Sequence, residues 1–357
     1  MSFMQQWSPS ALAGSACAVA SLAYVAYHVF ATRDYLSRQP PQRRAGRSRL
    51  PITLGGGAGD DAAAVASATE PTVVFIHGMG CSALEWAPVT SRLPRARRWA
   101  ALDRVLSVDA AALAQPRTAE AIIAEAREAL AAAGIAPPFV LVGHSYGGLI
   151  ARAWALGHRG EVAALLLLDA MHERFVEAPM PRDFRAAFDW AVPLVFAALA
   201  AGAPLGLARL LDACTALGLP PTELLPPAQR AEAVARYSSA APWRLAELER
   251  RGAFASLAWL RSLGALDAAL PAAAVVAGRR DKSPTQWRAA LTEAFVAQAK
   301  EVLGGDAACG SAGALRRLIV VEGSEHWVHL EAPALVAAEV RRLSSMCAGH
   351  LSRTAKW

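Results

Sequence analysis

Gly143-His144-Ser145-Tyr146-Gly147 sets a serine between two glycines, directly after the apolar run Phe139 to Val142 and directly before a helical pattern. A serine at a tight strand-to-helix turn can be held exposed in strained backbone geometry. The flanking glycines are needed because a Cβ there would strike neighbouring backbone. The positive end of the following helix faces the negative charge that develops in acyl transfer. A serine hydroxyl is a poor nucleophile at neutral pH and needs a base within hydrogen-bonding reach. Of the eight histidines, His326 in Gly323-Ser324-Glu325-His326-Trp327 follows the last strand candidate and precedes the terminal helical pattern. A loop at that point can return its imidazole to the turn. His144 lies inside the turn, His329 reads as a packing or capping residue, and His158 and His172 lack a strand-end context.

These residues need a scaffold that brings strand ends together. From Pro71 onward, short apolar runs alternate with helical patterns, which implies a parallel sheet covered by helices on both faces, an α/β fold. The strand candidates are Thr72 to Ile76, Arg104 to Val108, Phe139 to Val142, Ala164 to Leu168, Ala272 to Ala277 and Leu318 to Glu322. The intervening helices span Ser82 to Leu93, Thr118 to Ala133, Gly147 to Leu156 and Pro284 to Leu303, with Pro333 to Leu343 at the end. Between Met171 and Leu270 the rhythm gives way to Pro-punctuated helices, an inserted helical cap. Within it, Trp190 to Ala201 and Pro204 to Leu219 are strongly apolar. They read as packing against the sheet domain, with an acyl-chain-binding or membrane-touching surface as the alternative.

With His77-Gly78, then Gly-x-Ser-x-Gly, then an acid, then a histidine near the carboxyl end, the chain resembles the α/β-hydrolase superfamily, of the serine hydrolase type, over Pro71 to Leu343. The resemblance implies a mostly parallel sheet, typically of eight strands, with the active site at the strand carboxyl ends and a cap after the strand that ends Leu165-Leu166-Leu167-Leu168-Asp169. The first strands of such a sheet are hard to see between Leu50 and Glu70. The resemblance places the triad acid at Asp281, after the penultimate strand, with Asp169 as the alternative and Asp109 as structural. It nominates the backbone N–H groups of Met79 and Tyr146 as the oxyanion hole and leaves His77 to fix the loop. A serine at the nucleophile position argues against the branches of the fold that use aspartate there. Hydrolysis of a hydrophobic carboxylic ester or thioester through an acyl-enzyme follows, with no metal or organic cofactor required. Acyl transfer to another acceptor, lyase chemistry, or a non-catalytic receptor or scaffold role remain alternatives.

The formal charge of +6 suggests nucleic acid at first sight. Arg33, Arg38, Arg43, Arg44, Arg47 and Arg49 against Asp34 place +5 of it in one short stretch, so the folded part lacks a basic stripe and no nucleic-acid partner is expected. The five cysteines lack any CxxC spacing. Residues 1 to 32 carry no charged side chain, and Ala11 to Ala31 form an apolar run of 21 residues. At about 1.5 Å per residue such a run crosses about 30 Å of hydrocarbon. A single-pass membrane anchor is expected, with the arginines after it holding the catalytic part on the cytoplasmic side. A cleaved signal peptide is the competing reading, disfavoured by the missing basic n-region. The expected organisation is an anchor over 1–32, an Arg/Pro/Gly-rich linker over 33–70, hydrolase core over 71–170 and 271–350, and the cap over 171–270.

Overall fold

A computed structural model describes residues 50–56, 70–104, 117–175, 180–206, 221–278, 285–305 and 315–354. The expected anchor, most of the linker, Asp109 and Asp281 lie outside them.

Seven described strands form one sheet in the order β1-β3-β2-β4-β5-β6-β7. They are β1 (Ile52–Gly55), β2 (Thr72–Ile76), β3 (Trp99–Leu102), β4 (Phe139–His144), β5 (Val162–Leu168), β6 (Ala272–Ala277) and β7 (Arg316–Val321). All neighbours run parallel except β1, which lies antiparallel on β3 with Ile52 opposite Leu102. The strand expected at Arg104 to Val108 is therefore centred earlier, on the alanine-rich Trp99–Leu102. Residues 105–108 lie outside the described residues, and Arg104 sits just past the strand end.

Alternation along each strand sends side chains into two cores. Val74, Ile76, Leu141, Leu165 and Leu167 join one cluster, while Val73, Phe75, Val140, Val142, Leu166 and Leu168 join the other. Burial on both faces explains why these strands read as continuous apolar runs rather than alternating ones. Helices α1 (Ala119–Ala132) and α2 (Tyr146–Gly157) cover the first face. The described part of α7 (Pro333–Thr354), through Val336, Ala337, Val340 and Leu343, covers the second. Between β5 and β6 stand the cap helices α3 (Arg182–Leu205), α4 (Pro227–Tyr237) and α5 (Ala240–Ser262), before α6 (Thr285–Val302) returns to the sheet.

Polar side chains tie the cap to the core near the ends of β2 and β3. Arg236 of α4 pairs with Asp103 at 2.7 Å, Tyr237 Oη donates to Glu85 Oε1 at 3.0 Å, and Glu249 of α5 pairs with Arg104 at 2.5 Å. By contrast, α3 carries no charged side chain after Asp189, yet only 22% of its most apolar stretch is buried. Phe196 and Leu199 are buried, but Trp190 is 77% and Leu194 71% exposed. The inner face of α3 packs chiefly on the other cap helices, through Tyr237, Trp243 and Ala246, with Cys81, Trp327 and Leu330 from the core. Residues 207–219 of the second apolar segment lie outside the described residues. Of the described helices, α3 alone is long and apolar enough to cross a membrane by length and composition.

Candidate active site

Ser145 stands between β4 and α2 with φ 52° and ψ −121°, a left-handed conformation that L side chains rarely adopt. Two bonds hold it there. Its N–H donates to Leu168 O at 3.0 Å, and its own carbonyl accepts from Met171 N at 2.9 Å. The neighbouring glycines are obligatory on steric grounds. A Cβ on Gly143 would lie 2.3 Å from Gly147 O, and one on Gly147 would lie 2.1 Å from Ile76 O. Because Ser145 caps α2, Tyr146 is the first helical residue and its N–H has no partner within the helix.

His326 lies in the loop after β7, and its Nδ1–H donates to Asp169 Oδ2 at 2.6 Å. Asp169 is fully buried just past β5, its other oxygen accepting from Ala277 N at 3.1 Å and its own N–H donating to Val275 O at 2.7 Å. Both carboxylate oxygens are therefore held. While Asp281, the acid expected first, lies outside the described residues, Nδ1 of His326 makes its bond to the alternative acid, Asp169. The reason lies in the sheet. β5 is the neighbour of both β4 and β6, so a residue at its tip sits beside the serine turn without a long loop.

The imidazole of His326 is held on a second side by His144. His144 Nε2–H donates to the His326 carbonyl at 2.8 Å, and the rings lie 4.7 Å apart. Behind them His329 lies 4.4 Å from the His144 ring and 3.6 Å from Glu85 Oε2. Burial lowers the pKa of His144 and of His329 below the ordinary histidine value, so both rings are neutral near pH 7. Glu85, His144 and His329 have potential metal-ligating atoms within 4.8 Å of one another. His144 bonds to His326 through Nε2 and Glu85 to Tyr237 and Ser82 through Oε1, while Glu85 Oε2, His144 Nδ1 and both ring nitrogens of His329 have no hydrogen-bond partner among the described residues.

The loop after β2 carries the other predicted group. Gly78 backs onto the serine turn so closely that a Cβ on it would lie 3.4 Å from Ser145 Cβ. His77 fixes this loop, as expected: Nδ1–H donates to Gly78 O at 2.8 Å and Nε2 accepts from Arg104 N at 3.2 Å. Both roles demand the neutral ring, and burial together with the nearby Arg104 charge lowers its pKa well below the usual value. Met79, Ser145, Tyr146 and His326 all line a cavity of about 310 Å³. Its remaining wall is largely apolar, with Phe184, Phe188, Val192 and Phe196 from α3, Phe175 before it, and Phe295 of α6. The structure therefore brings together Ser145, His326, Met79 and Tyr146 as predicted. With them it brings the alternative acid Asp169, and it adds His144, Arg104, Glu249 and the phenylalanine wall. Nothing in local sequence marks Glu249, which lies 145 residues from its partner Arg104.

The alpha/beta hydrolase family model matches residues 73–339. A protein of Bacillus subtilis (strain 168), the uncharacterized protein YqjL, is 31% identical over 98 residues, covering 28% of this chain and 39% of that relative's length. A candidate lipase from Acinetobacter baumannii AYE superposes with a TM-score of 0.56 at 15% identity, over 91% of this chain and 97% of the other. The Cif epoxide hydrolase from Acinetobacter nosocomialis gives 0.58 at 17% identity, over 82% and 85%. A hydrolase from Oleispira antarctica gives 0.52 at 14%, over 84% and 95%. At such identities the likeness to solved structures concerns the fold.

Proposed function

The chain belongs to the alpha/beta hydrolase family, and from that premise we propose that it is a serine hydrolase cleaving a hydrophobic carboxylic ester or thioester. The observation that carries this reading is the bond from His326 Nδ1 to the buried Asp169, which leaves Nε2 as the nitrogen available to Ser145. In the proposed course Ser145 Oγ attacks the substrate carbonyl as its proton passes to His326 Nε2. Asp169 holds the tautomer and stabilises the imidazolium that forms. The oxyanion accepts from the N–H groups of Met79 and Tyr146, donors whose loss in serine hydrolases generally costs about 10²- to 10³-fold in turnover. His326 then protonates the departing alkoxide or thiolate, and water repeats the sequence on the acyl-enzyme to release the acid. The aromatic and aliphatic wall of the cavity favours an apolar acyl or alcohol part.

A fluorophosphonate probe tests the core of this reading, because it phosphonylates only an activated serine. Wild-type protein is expected to label, and Ser145→Ala and His326→Ala to lose labelling while remaining folded. Labelling that persists in Ser145→Ala would refute the assignment. The apolar run 11–31 is further proposed as a membrane tether, tested by deleting residues 1–32 and following the protein between membrane and soluble fractions. Retention of the shortened chain on membranes would move the attachment to the exposed face of α3.

A further inference from the structure

The Met79 N–H belongs to the same rigid peptide plane as the Gly78 carbonyl, and in a trans peptide the two point in opposite directions. Whatever holds Gly78 O therefore aims the Met79 N–H. His77 Nδ1 at 2.8 Å and Cys81 N at 3.3 Å donate to that oxygen, and the charged donor among its partners is Arg104. Its Nη2 donates to Gly78 O at 2.7 Å, and its Nη1 to His77 O at 3.0 Å. The guanidinium is in turn clamped by Glu249 of cap helix α5, with Nε to Oε1 at 2.5 Å and Nη2 to Oε2 at 3.2 Å. Both side chains are 0% exposed. Glu249 also reaches the far end of the loop directly, its Oε2 accepting from Gly80 N at 3.0 Å. Gly80 adopts φ +66° and lies so close to α5 that a Cβ would meet Ala246 Cβ at 2.7 Å. The peptide that carries Met79 N–H is thus bracketed by one buried ion pair whose anion comes from the cap.

We propose that Glu249 and Arg104 are positioning residues for the oxyanion hole: with α5 seated, the pair orients the Gly78-Met79 peptide so that its N–H faces the carbonyl oxygen attacked by Ser145. The inference rests on the serine-hydrolase reading above. A charged donor on Gly78 O also polarises that peptide and strengthens its N–H as a donor at the moment charge develops. The cap then does more than wall the pocket, since the hole is complete only while Glu249 is in place. Other cap contacts do not share the role. The Arg236–Asp103 pair also joins cap to core, but its charged groups do not bond the 77–80 backbone.

The test compares Glu249→Gln, Arg104→Lys and Asp103→Asn in the full-length chain. Turnover of p-nitrophenyl esters is measured alongside inhibition by an alkyl boronic acid, whose serine adduct places an oxygen in the hole. Glu249→Gln and Arg104→Lys are expected to lower kcat by about 10- to 100-fold, a fraction of what full loss of a donor costs. KM should stay within about threefold, and boronate affinity should fall in step with kcat. Asp103→Asn should lower thermal stability with kcat and boronate affinity near wild type. Unchanged kcat in folded Glu249→Gln would overturn the proposal. So would a fall in kcat without loss of boronate affinity, an equal fall in Asp103→Asn, or a Glu249→Gln chain that does not fold, which would assign the pair to general stability. Failure of the underlying reading looks different: wild type itself would neither turn over esters nor bind the boronate.

Discussion

In the proposed mechanism Asp169 and His326 divide the labour of a base between orientation and proton transfer, and each can be tested alone. Asp169→Ala removes the acceptor that Nδ1 has among the described residues and leaves the imidazole free to take the wrong tautomer. A loss of about 10⁴-fold in kcat is expected, with KM little changed. Asp281→Ala should keep close to full activity in the same ester assay. The glycines beside Ser145 are as binding as the triad. Gly147→Ala would drive a methyl to 2.1 Å from Ile76 O, so little soluble, folded protein is expected on expression. Ser145 and His326 were legible because each sits at the junction of a recognisable strand and helix. The acid was not, because Asp169 and Asp281 both follow adjacent strands and local pattern does not choose between them.

At the scale of elements, strands buried on both faces announce themselves as apolar runs, and β2, β4, β5 and β6 fall where those runs lie. β3 did not, because Trp99-Ala100-Ala101-Leu102 has weak strand propensity while the run that follows Arg104 looks stronger. Helix α3 was legible as apolar, but its exposure was not. Its inner residues Phe188, Val192 and Phe196 line the cavity while Trp190 and Leu194 face outward. An apolar helix that is mostly unburied favours a lipid surface over water. In a chain lacking residues 1–32, Trp190→Glu with Leu194→Glu should therefore reduce co-sedimentation with phosphatidylcholine vesicles several-fold. Turnover of a short water-soluble ester should change little, since neither side chain lines the cavity.

For the whole molecule, stability should depend on pH through the buried histidines. His77, His144 and His329 are held neutral by burial, and burial pulls His172 down to about 4. In the unfolded chain these rings titrate near 6.5, so between about pH 6.5 and 4 the unfolded state binds more protons than the folded one. Stability is then fully present above about pH 6.5 and falls as the pH drops through that window, by up to about 1.4 kcal/mol per pH unit for each ring. Calorimetric melting from pH 8 to 4.5 checks this, and a midpoint flat or rising toward acid would contradict it. Contacts between distant segments, such as Arg104 with Glu249 or His144 with the His326 carbonyl, left no trace in the sequence because folding alone makes them neighbours.

Cys81 gives that loop a built-in reporter. Its thiol is buried and donates to Met79 O at 3.4 Å, and burial beside the Glu85 carboxylate pushes its pKa well above the ordinary value. Alkylation requires both access and the thiolate; Cys81 is only 4% exposed, at the cavity wall, and its surroundings disfavour the thiolate. The rate at which iodoacetamide consumes Cys81 therefore measures how often residues 77–81 open to solvent, as amide exchange does for a backbone site. A ligand that fills the cavity should slow that consumption, and a variant that unseats α5 should hasten it, so loop breathing can be timed by mass spectrometry without any substrate.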